Sequence, residues 1–293
     1  MNTDELPLVA LSHLDHLWFQ VAGTRCNLTC SHCFISCSPH NRSFEFLTLA
    51  EVQQRLDESV ALGVKEYYFT GGEPFLHPDL TEMLIATLAY GPATVLTNAT
   101  VLKDEWLTRL AAAEASSCYS LEFRVSIDGC SPETNDPIRG PGTFARALAG
   151  VAKLVAHGFL PIITAARVWP EADDATMLPN FIEVLQQHGY ARPRLKILPR
   201  LQIGAEATRT CGYAADERIT PAMLAGFDTT QLVCEHSRIV TTRGVHVCPI
   251  LIEAPDALLG KTLAEAMTPF AVQHGVCTTC YQYGAICSNA SSG

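Results

Sequence analysis

Six predicted strands alternate with helices over the first two thirds of the chain, and this rhythm constrains the fold more than any other feature. The predicted strands cover residues 17–22, 64–70, 94–97, 120–127, 160–168 and 194–198. The predicted helices cover residues 48–63, 78–89, 103–115, 143–157 and 177–188. Strict alternation with long crossovers predicts a parallel sheet. Six units are fewer than the eight of a closed barrel, so we expect an α/β fold, a partial (β/α)6 TIM-like barrel.

The rhythm stops near residue 200. Beyond that point the chain is rich in Thr, Gly, Pro and Cys and has little apolar periodicity. We therefore predict a barrel domain at 1–200 and a small cysteine-rich domain at 201–293.

Composition and charge exclude several classes of protein. With 293 residues, 48% of them hydrophobic, the chain is long enough to bury a substantial core. Its formal charge is −10 and no block of Lys and Arg stands out, which argues against a nucleic-acid partner. No stretch approaches the roughly 20 apolar residues of a membrane span. The first fifteen residues carry Asp4, Glu5 and Asp15 but no Lys or Arg, unlike a secretory signal, so we expect a cytoplasmic protein.

Twelve cysteines are the most informative composition feature, because clustered thiols in a reducing compartment bind metal or do chemistry. Cys26, Cys30 and Cys33 are separated by three and two residues, in a loop after the first strand. Three thiolates converging on a 4Fe–4S cubane leave one iron open to an exogenous ligand. The alternatives are a structural zinc knuckle, with His32 as an awkward fourth ligand, or a free-thiol cluster. Cys37 is a rival ligand, which we place in the loop that leaves the site.

Polar and glycine residues follow the next predicted strands, at the end where parallel barrels bind ligands. Gly71, Gly72 and Glu73 follow the second strand, and glycines there let the backbone approach a ligand closely. Each candidate in this group could equally stabilise a turn or be a solvated charge. Asp128, which follows the fourth predicted strand, is interpreted as a turn residue. The candidates further along the chain are Thr97, Ser126 and Arg139.

A second set of cysteines lies in the segment with little core-forming pattern. Small modules of this kind often need a metal to fold. A zinc ribbon suits the two-residue gap in this set as well as a cluster does. The set comprises Cys234, Cys248, Cys277, Cys280 and Cys287, while Cys118, Cys130 and Cys211 are interpreted as ordinary buried thiols.

The C-x3-C-x2-C loop after the first strand of a partial barrel resembles the radical S-adenosylmethionine (SAM) superfamily. The resemblance implies that the open iron of the cluster chelates the amino and carboxylate groups of SAM. Gly71-Gly72-Glu73-Pro74 resembles the family's motif for the SAM amino group, a role for Glu73 or its backbone neighbours. By the same resemblance Ser126 contacts SAM, and the Arg139 guanidinium could pair with its carboxylate.

The second cysteine set resembles the auxiliary-cluster extensions called SPASM and Twitch. A full SPASM module uses seven cysteines for two clusters, so five indicate one auxiliary 4Fe–4S cluster. Cys234, Cys248, Cys277 and Cys280 would make a closed four-thiolate site, with Cys287 spare or exchanging with one of them. If only three bind, the site is open and could hold substrate.

The function implied is reductive cleavage of SAM to a 5′-deoxyadenosyl radical, which abstracts hydrogen from a small-molecule or peptide substrate in a net oxidation. The short segment before the first strand favours a small metabolite. A radical rearrangement, a cyclisation or peptide maturation is the alternative outcome. The resemblance also implies a flavodoxin- or ferredoxin-type electron donor. A protein of a different class, a non-catalytic zinc or iron–sulfur redox-sensing module, would need neither six β/α units nor the Gly-Gly-Glu-Pro motif.

Overall fold

The computed structural model describes residues 6–284, 286 and 287. Asp4 and Glu5, whose charges argue against a secretory signal, lie outside these residues. The strands are β1 (Leu8–Val9), β2 (His16–Gln20), β3 (Glu66–Thr70), β4 (Ala93–Thr97), β5 (Leu121–Ser126), β6 (Ile162–Ala166), β7 (Arg194–Leu198), β8 (Ser237–Thr241), β9 (Gly244–His246), β10 (Leu258–Gly260) and β11 (Phe270–Ala271). The helices are α1 (Leu49–Leu62), α2 (Leu80–Thr87), α3 (Asp104–Ala115), α4 (Pro132–Arg139), α5 (Thr143–Ala156), α6 (Asp174–Gln187), α7 (Ala205–Thr210), α8 (Pro221–Leu224) and α9 (Gly275–Tyr283).

One sheet organises the described chain, with strand order β10-β9-β8-β2-β3-β4-β5-β6-β7. Strands β2 to β7 lie side by side in sequence order and pair in parallel, with helices in the connections. The six β/α units predicted from the sequence are therefore confirmed, and the fold is a partial (β/α)6 barrel. Strands β1 and β11 form a separate antiparallel pair.

Local sequence explains why the helices begin and end where they do. In α1 the Thr48 hydroxyl accepts a hydrogen bond from the backbone N–H of Glu51, whose carboxylate accepts one from the N–H of Thr48. Gly63 ends this helix in the left-handed conformation, which glycine adopts without steric cost. Val52 and Leu56 lie one turn apart and bury the inner face of α1.

The strands bury alternate side chains on opposite faces of the sheet, as the pleat requires. Leu17 and Phe19 of β2 belong to the main core between sheet and helices. Trp18 points to the other face, inside the barrel, where its indole stacks on Tyr68 of β3 with ring centroids 4.2 Å apart. Side chains therefore fill the barrel interior beneath the loops that follow the carboxyl ends of the strands.

The segment after residue 200 has its own core but shares the sheet with the barrel. Its core contains Val233, Val247 and Val276. Strand β8 nevertheless pairs in parallel with β2, and β9 and β10 extend the sheet beyond it. A domain boundary near residue 200 stays a prediction, because the separate core favours it whereas the shared sheet does not.

None of the helices within the described residues has both the length and the apolar character that crossing a bilayer requires.

Candidate active site

The first cysteine trio lies in the loop that follows β2, at the carboxyl end of the parallel strands. The loop is folded on itself by backbone hydrogen bonds, from Cys33 N to Cys30 O (3.2 Å) and from Cys26 N to Ser38 O (3.1 Å). Cys26 is buried, whereas Cys30 and Cys33 are partly exposed. All three face one cavity of about 220 Å³.

Hydrogen bonds reach the sulfur atoms of this trio. The backbone N–H of Leu28 donates to Cys26 Sγ at 3.4 Å, and that of Cys37 donates to Cys33 Sγ at 3.3 Å. Burial raises the pKa of Cys26 to about 12 and that of Cys30 to about 11. The Cys37 thiol, together with backbone N–H groups, lowers the pKa of Cys33 to about 6. Binding of a metal centre would therefore displace the protons of at least the Cys26 and Cys30 thiols.

Two glycines bring the turn after β3 against the cysteine loop. A Cβ atom on Gly72 would lie 2.0 Å from the carbonyl oxygen of Arg25, and one on Gly71 would lie 2.8 Å from the backbone nitrogen of Ala22. Gly71 also has a φ of +147°. Only residues without a side chain fit there. Both glycines line the cavity, and a close approach of their backbone to a ligand stays a prediction.

The Glu73 carboxylate is buried away from the cavity and links two strand ends. Its Oε1 accepts hydrogen bonds from the N–H of Phe75 (3.1 Å) and the hydroxyl of Thr97 (2.7 Å). Its Oε2 accepts one from the N–H of Asn98 (2.7 Å). Burial raises the pKa of Glu73 to about 7. Of the two possibilities predicted for this motif, the structure favours the backbone neighbours over the Glu73 side chain as ligand groups.

Asp128 is the centre of a buried ion-pair cluster. Its Oδ2 lies 2.5 Å from Arg139 Nε and 2.9 Å from His32 Nε2, and its Oδ1 accepts a hydrogen bond from the N–H of Ala166 at 2.7 Å. Although burial acts to raise it, the adjacent Arg139 and His32 hold the pKa of Asp128 well below its usual range. Asp128 does follow β5 in a turn, but its carboxylate is fully buried and fixes Arg139 beside Cys30, a role that turn structure alone did not predict.

The cavity brings together most residues predicted for the first site. Besides the three cysteines it is lined by Gly71, Gly72, Thr97, Ser126 and Arg139, which lie at the carboxyl ends of β3, β4 and β5 or in the connections that follow them. Thiol, glycine, hydroxyl and guanidinium groups around one space of this size fit a thiolate-held cluster with an amino-acid-bearing cosubstrate beside it. Glu73 is the exception among the predicted residues.

Three further residues line the cavity: His32, considered above only as a zinc ligand, Cys37, considered as a rival ligand, and Asn98, to which sequence reasoning assigned no role. The amide of Asn98 donates to Asn27 Oδ1 (2.9 Å) and lies 3.8 Å from Cys26 Sγ. Nδ1 of His32 is buried without a hydrogen-bond partner among the described residues. The position of Asn98 at a strand end could have indicated it; His32 carries no such signal apart from lying between two cysteines.

The second cysteine set converges on a smaller, apolar cavity. Cys234, Cys248, Cys277 and Cys280 line it, and every other lining residue is apolar. Cys277 and Cys280 lie three residues apart on one face of α9. Burial raises the pKa of all four thiols. Four thiols in an apolar space, with no other ligand group, fit a closed thiolate site.

Cys287 lies near two of these cysteines, since, in addition to burial, its charge raises the pKa of Cys280 and the charge of Cys248 raises the pKa of Cys287. It is absent from the lining of their cavity and packs between the C-terminal core and the barrel interior. Its carbonyl oxygen accepts a hydrogen bond of 2.6 Å from Arg124 inside the barrel. Both predicted possibilities, a spare Cys287 and a Cys287 that exchanges with one of the four, therefore stay predictions.

A buried cation lies beside the second set. The Arg238 guanidinium is fully buried and donates to the carbonyl oxygens of Cys234 (2.7 Å), Ala266 (2.8 Å) and Thr268 (2.9 Å). No Asp or Glu among the described residues forms an ion pair with it. A buried cation normally requires a counter-charge, and anionic sulfur at the nearby cysteines would provide one.

No three or more His, Cys, Asp or Glu side chains converge as the ligands of a single metal ion within residues 6–284, 286 and 287. In a cubane each thiolate binds a different iron, so its ligands stand farther apart than those of one ion. The finding therefore concerns a single-ion site and does not test a cubane.

Comparison with known proteins agrees with this geometry. The family model "Radical SAM superfamily" matches residues 21–177. The chain is 36% identical over 151 residues to the AdoMet-dependent heme synthase of Methanosarcina barkeri, covering 50% of this chain and 41% of the relative. It is 30% identical over 238 residues to the PqqA peptide cyclase of Ruegeria pomeroyi, covering 75% and 59%. The chain thus spans between about two fifths and three fifths of these relatives.

A solved structure has the same fold. Streptococcus suis SuiB bound to precursor peptide SuiA aligns with a TM-score of 0.62 at 15% identity, covering 84% of this chain and 62% of that one. Since the family model covers more than half of the chain and the cysteine trio falls within it, the chain belongs to the radical SAM superfamily.

Proposed function

We propose that this chain is a radical SAM enzyme that modifies a substrate by hydrogen abstraction. When bound, the cluster supplies the electron that cleaves SAM to methionine and a 5′-deoxyadenosyl radical, which removes hydrogen from the substrate. The supporting observation is the single cavity, at the carboxyl ends of the strands, on which Cys26, Cys30 and Cys33 converge.

The residues around the cavity have distinct roles in this proposal. Cys26, Cys30 and Cys33 hold the cluster, and the backbone at Gly71 and Gly72 faces the SAM amino group. Thr97 and Ser126 supply hydroxyls at the strand ends. Arg139 pairs with the SAM carboxylate while Asp128, which is itself contacted by His32, holds the Arg139 guanidinium in place. Glu73 positions the turn after β3 and makes no contact with SAM.

We assign the second set to one auxiliary 4Fe–4S cluster of the Twitch type, held by Cys234, Cys248, Cys277 and Cys280. The four thiols around an apolar cavity and the adjacent Arg238 support a cluster with net negative charge. Such a cluster could accept the substrate electron, which makes the net reaction an oxidation. A zinc ribbon is the alternative and would leave the radical step unchanged.

We favour a polypeptide as substrate. One relative is named a peptide cyclase, and the structural neighbour is bound to a precursor peptide. The expectation of a small metabolite rested on the short segment before the first strand, and the heme synthase relative keeps a small molecule as the second candidate. Rearrangement or cyclisation remains the alternative outcome for either substrate.

The proposed reaction also requires an electron donor and a reducing compartment. One external electron per turnover requires a low-potential donor, for which we expect a flavodoxin- or ferredoxin-type protein. Thiol-ligated clusters and free cysteines suit a reducing compartment, so we place the enzyme in the cytoplasm.

Anaerobic reconstitution tests the proposal. We expect about 8 Fe per chain, or about 4 if the second set binds zinc, and formation of 5′-deoxyadenosine from SAM and dithionite. Cys30→Ala should remove about 4 Fe per chain and abolish 5′-deoxyadenosine formation. Cys37→Ala is the matched control, because this buried thiol lies in the same loop and should leave the iron content unchanged.

Two results would contradict the proposal. Tight zinc binding without SAM cleavage would favour the non-catalytic module. Full iron content and unchanged nucleoside formation in Cys30→Ala would remove the trio from the mechanism. If cleavage is confirmed, transfer of deuterium from labelled candidate substrates into 5′-deoxyadenosine identifies the substrate.

A further inference from the structure

Strand β7 is an open edge of the main sheet. It stands last in the strand order, and its side chains are only partly buried, unlike those of the central strands. The N–H of Arg167 donates to Leu198 O at 2.8 Å, so the peptide groups of Arg194, Lys196 and Leu198 face β6. The intervening peptide groups, of Leu195 and Ile197, point away from the sheet. In the part of the chain that the structure describes, no hydrogen bond reaches them.

This edge leads directly into the active-site cavity. Leu198, Pro199, Arg200 and Leu201 line the cavity that the cysteine trio faces. A strand rises about 3.3 Å per residue, so a chain paired with β7 would reach the cavity within a few residues. The edge is thus continuous with the site at which hydrogen abstraction is proposed.

The charge along this edge is opposite to that of the whole protein. The chain has a net charge of −10, yet residues 184–205 contain no Asp or Glu. This stretch carries Arg192, Arg194, Lys196 and Arg200. Arg194 is neutralised by Glu122 at 2.7 Å, whereas Arg192 and Arg200 are exposed at the two ends of the strand. Because these cations are spaced along a strand, they do not form the block of Lys and Arg that a sequence scan detects.

Prolines limit what the edge can pair with. Pro193 and Pro199 flank β7, and proline cannot donate to a ladder. The pairing surface is therefore about five residues long, too short for open-ended strand addition but enough to hold an extended peptide.

We propose that β7 is the docking strand for an acidic peptide substrate, which adds to the sheet through Leu195 and Ile197. The peptide continues past Pro199 into the cavity, where Arg200 pairs with one of its carboxylates. This inference rests on the proposed function, since it names the class of peptide that the radical site modifies.

The test measures fluorescence anisotropy of labelled peptides on the reconstituted full chain. The probe is acetyl-Glu-Val-Glu-Val-Glu-Val-Glu-amide, compared with its Lys-for-Glu counterpart and with a version N-methylated at every central amide. We expect binding by the acidic probe only. N-methylation keeps the charges and removes the backbone donors, so it should abolish binding if the ladder is used. Equal binding by the methylated probe would mean unspecific charge attraction and would overturn the proposal.

Protein variants address the same edge. Arg200→Glu should weaken binding of the acidic probe at least about tenfold, whereas Arg146→Glu, an exposed arginine on α5, should not. Ile197→Pro removes the outward N–H at an edge position that tolerates proline, and it should abolish binding while circular dichroism and melting temperature show a folded chain. Unchanged binding of the acidic probe by both Arg200→Glu and Ile197→Pro would overturn the proposal.

A readout without peptide separates this inference from the proposed function. SAM cleavage in the absence of substrate reports the radical site alone. SAM cleavage without binding of the acidic probe would overturn the docking strand and leave the enzyme assignment standing. Probe binding without SAM cleavage would overturn the enzyme assignment and leave the docking strand standing. A dimer in sedimentation that Ile197→Pro dissociates, with no probe binding, would assign the edge to a second copy and overturn the proposal.

Discussion

At the scale of single residues, the active-site cavity owes its shape to side chains that do not face it. Glu73 spans two strand ends with three accepted hydrogen bonds, and Asp128 holds His32 and Arg139. Sequence alone located both carboxylates at strand ends, where ligands bind. It could not tell whether either carboxylate faces the ligand or the protein, because that depends on distant partners. Asn98 lies 25 residues from Glu73, and Ala166 lies 38 residues from Asp128.

Arg238 is the residue whose charge best tests the second site. Arg238→Met keeps much of the volume but removes a buried cation next to Cys234 and Cys248. A positive charge stabilises the more reduced, more negative state of a cluster. We therefore expect a more negative midpoint potential for the auxiliary cluster in the Met variant, measured by redox titration followed by electron paramagnetic resonance.

The control for this prediction is Arg238→Lys, which keeps the charge and should keep the potential closer to that of the wild type. The Met variant also leaves several carbonyl groups without donors, so we expect a lower free energy of unfolding by about 2–4 kcal/mol. An unchanged potential in a Met variant that retains its iron would mean that Arg238 serves folding only.

At the scale of elements, hydrophobic periodicity predicted the barrel and missed the shorter pieces. The five long crossovers carry apolar faces that a sequence scan detects, as in α1 and α5. Helix α4 was missed because it has eight residues, with Pro137 inside it and Ile138 as its single aliphatic residue. Strand β9 has three residues, too few to show a period of two. Such elements form because of tertiary contacts, which local pattern does not record.

Lys196 makes β7 a source of pH-dependent stability. Burial lowers the pKa of Lys196 to about 8, with a further lowering from the charge on Arg124. The unfolded chain, with a lysine pKa near 10.4, binds the proton more tightly, so the free energy of unfolding rises with pH between about 8 and 10.4. Below pH 8 the folded chain carries the full cost of a partly buried cation.

We therefore expect Lys196→Met to stabilise the protein at pH 7 by about 1–2 kcal/mol, a value reduced for solvent screening. The gain should disappear by about pH 10.4. Urea unfolding of both proteins across this pH range measures the difference. Lys153→Met, at a surface ion pair with Asp104, should show no such trend. A gain that is independent of pH would mean that apolar packing, not charge burial, is responsible.

At the scale of the whole molecule, the two cysteine sites belong to one sheet. The carboxyl-end loops of the barrel carry the first trio, and the segment that follows β7 returns to pair β8 with β2. This pairing joins residues about 220 positions apart, such as His16 and Ser237. No local pattern in the sequence indicates this pairing, so the sequence could not predict that the C-terminal segment shares the barrel's sheet.

The shared sheet leads to a prediction about truncation at residue 200. A chain of residues 1–200 would lose β8 and expose the edge of β2 together with Trp18, which packs in one cluster with Ile239. An open edge beside buried apolar side chains favours aggregation. We expect the 1–200 chain to be insoluble, or to unfold without a cooperative transition, whereas the full chain unfolds cooperatively by circular dichroism. Since β8 ends at Thr241, a chain of residues 1–242 is the matched comparison and should be more soluble than 1–200. A monomeric 1–200 chain with native-like cooperativity would instead establish the barrel as an autonomous domain and confirm the boundary predicted from the sequence.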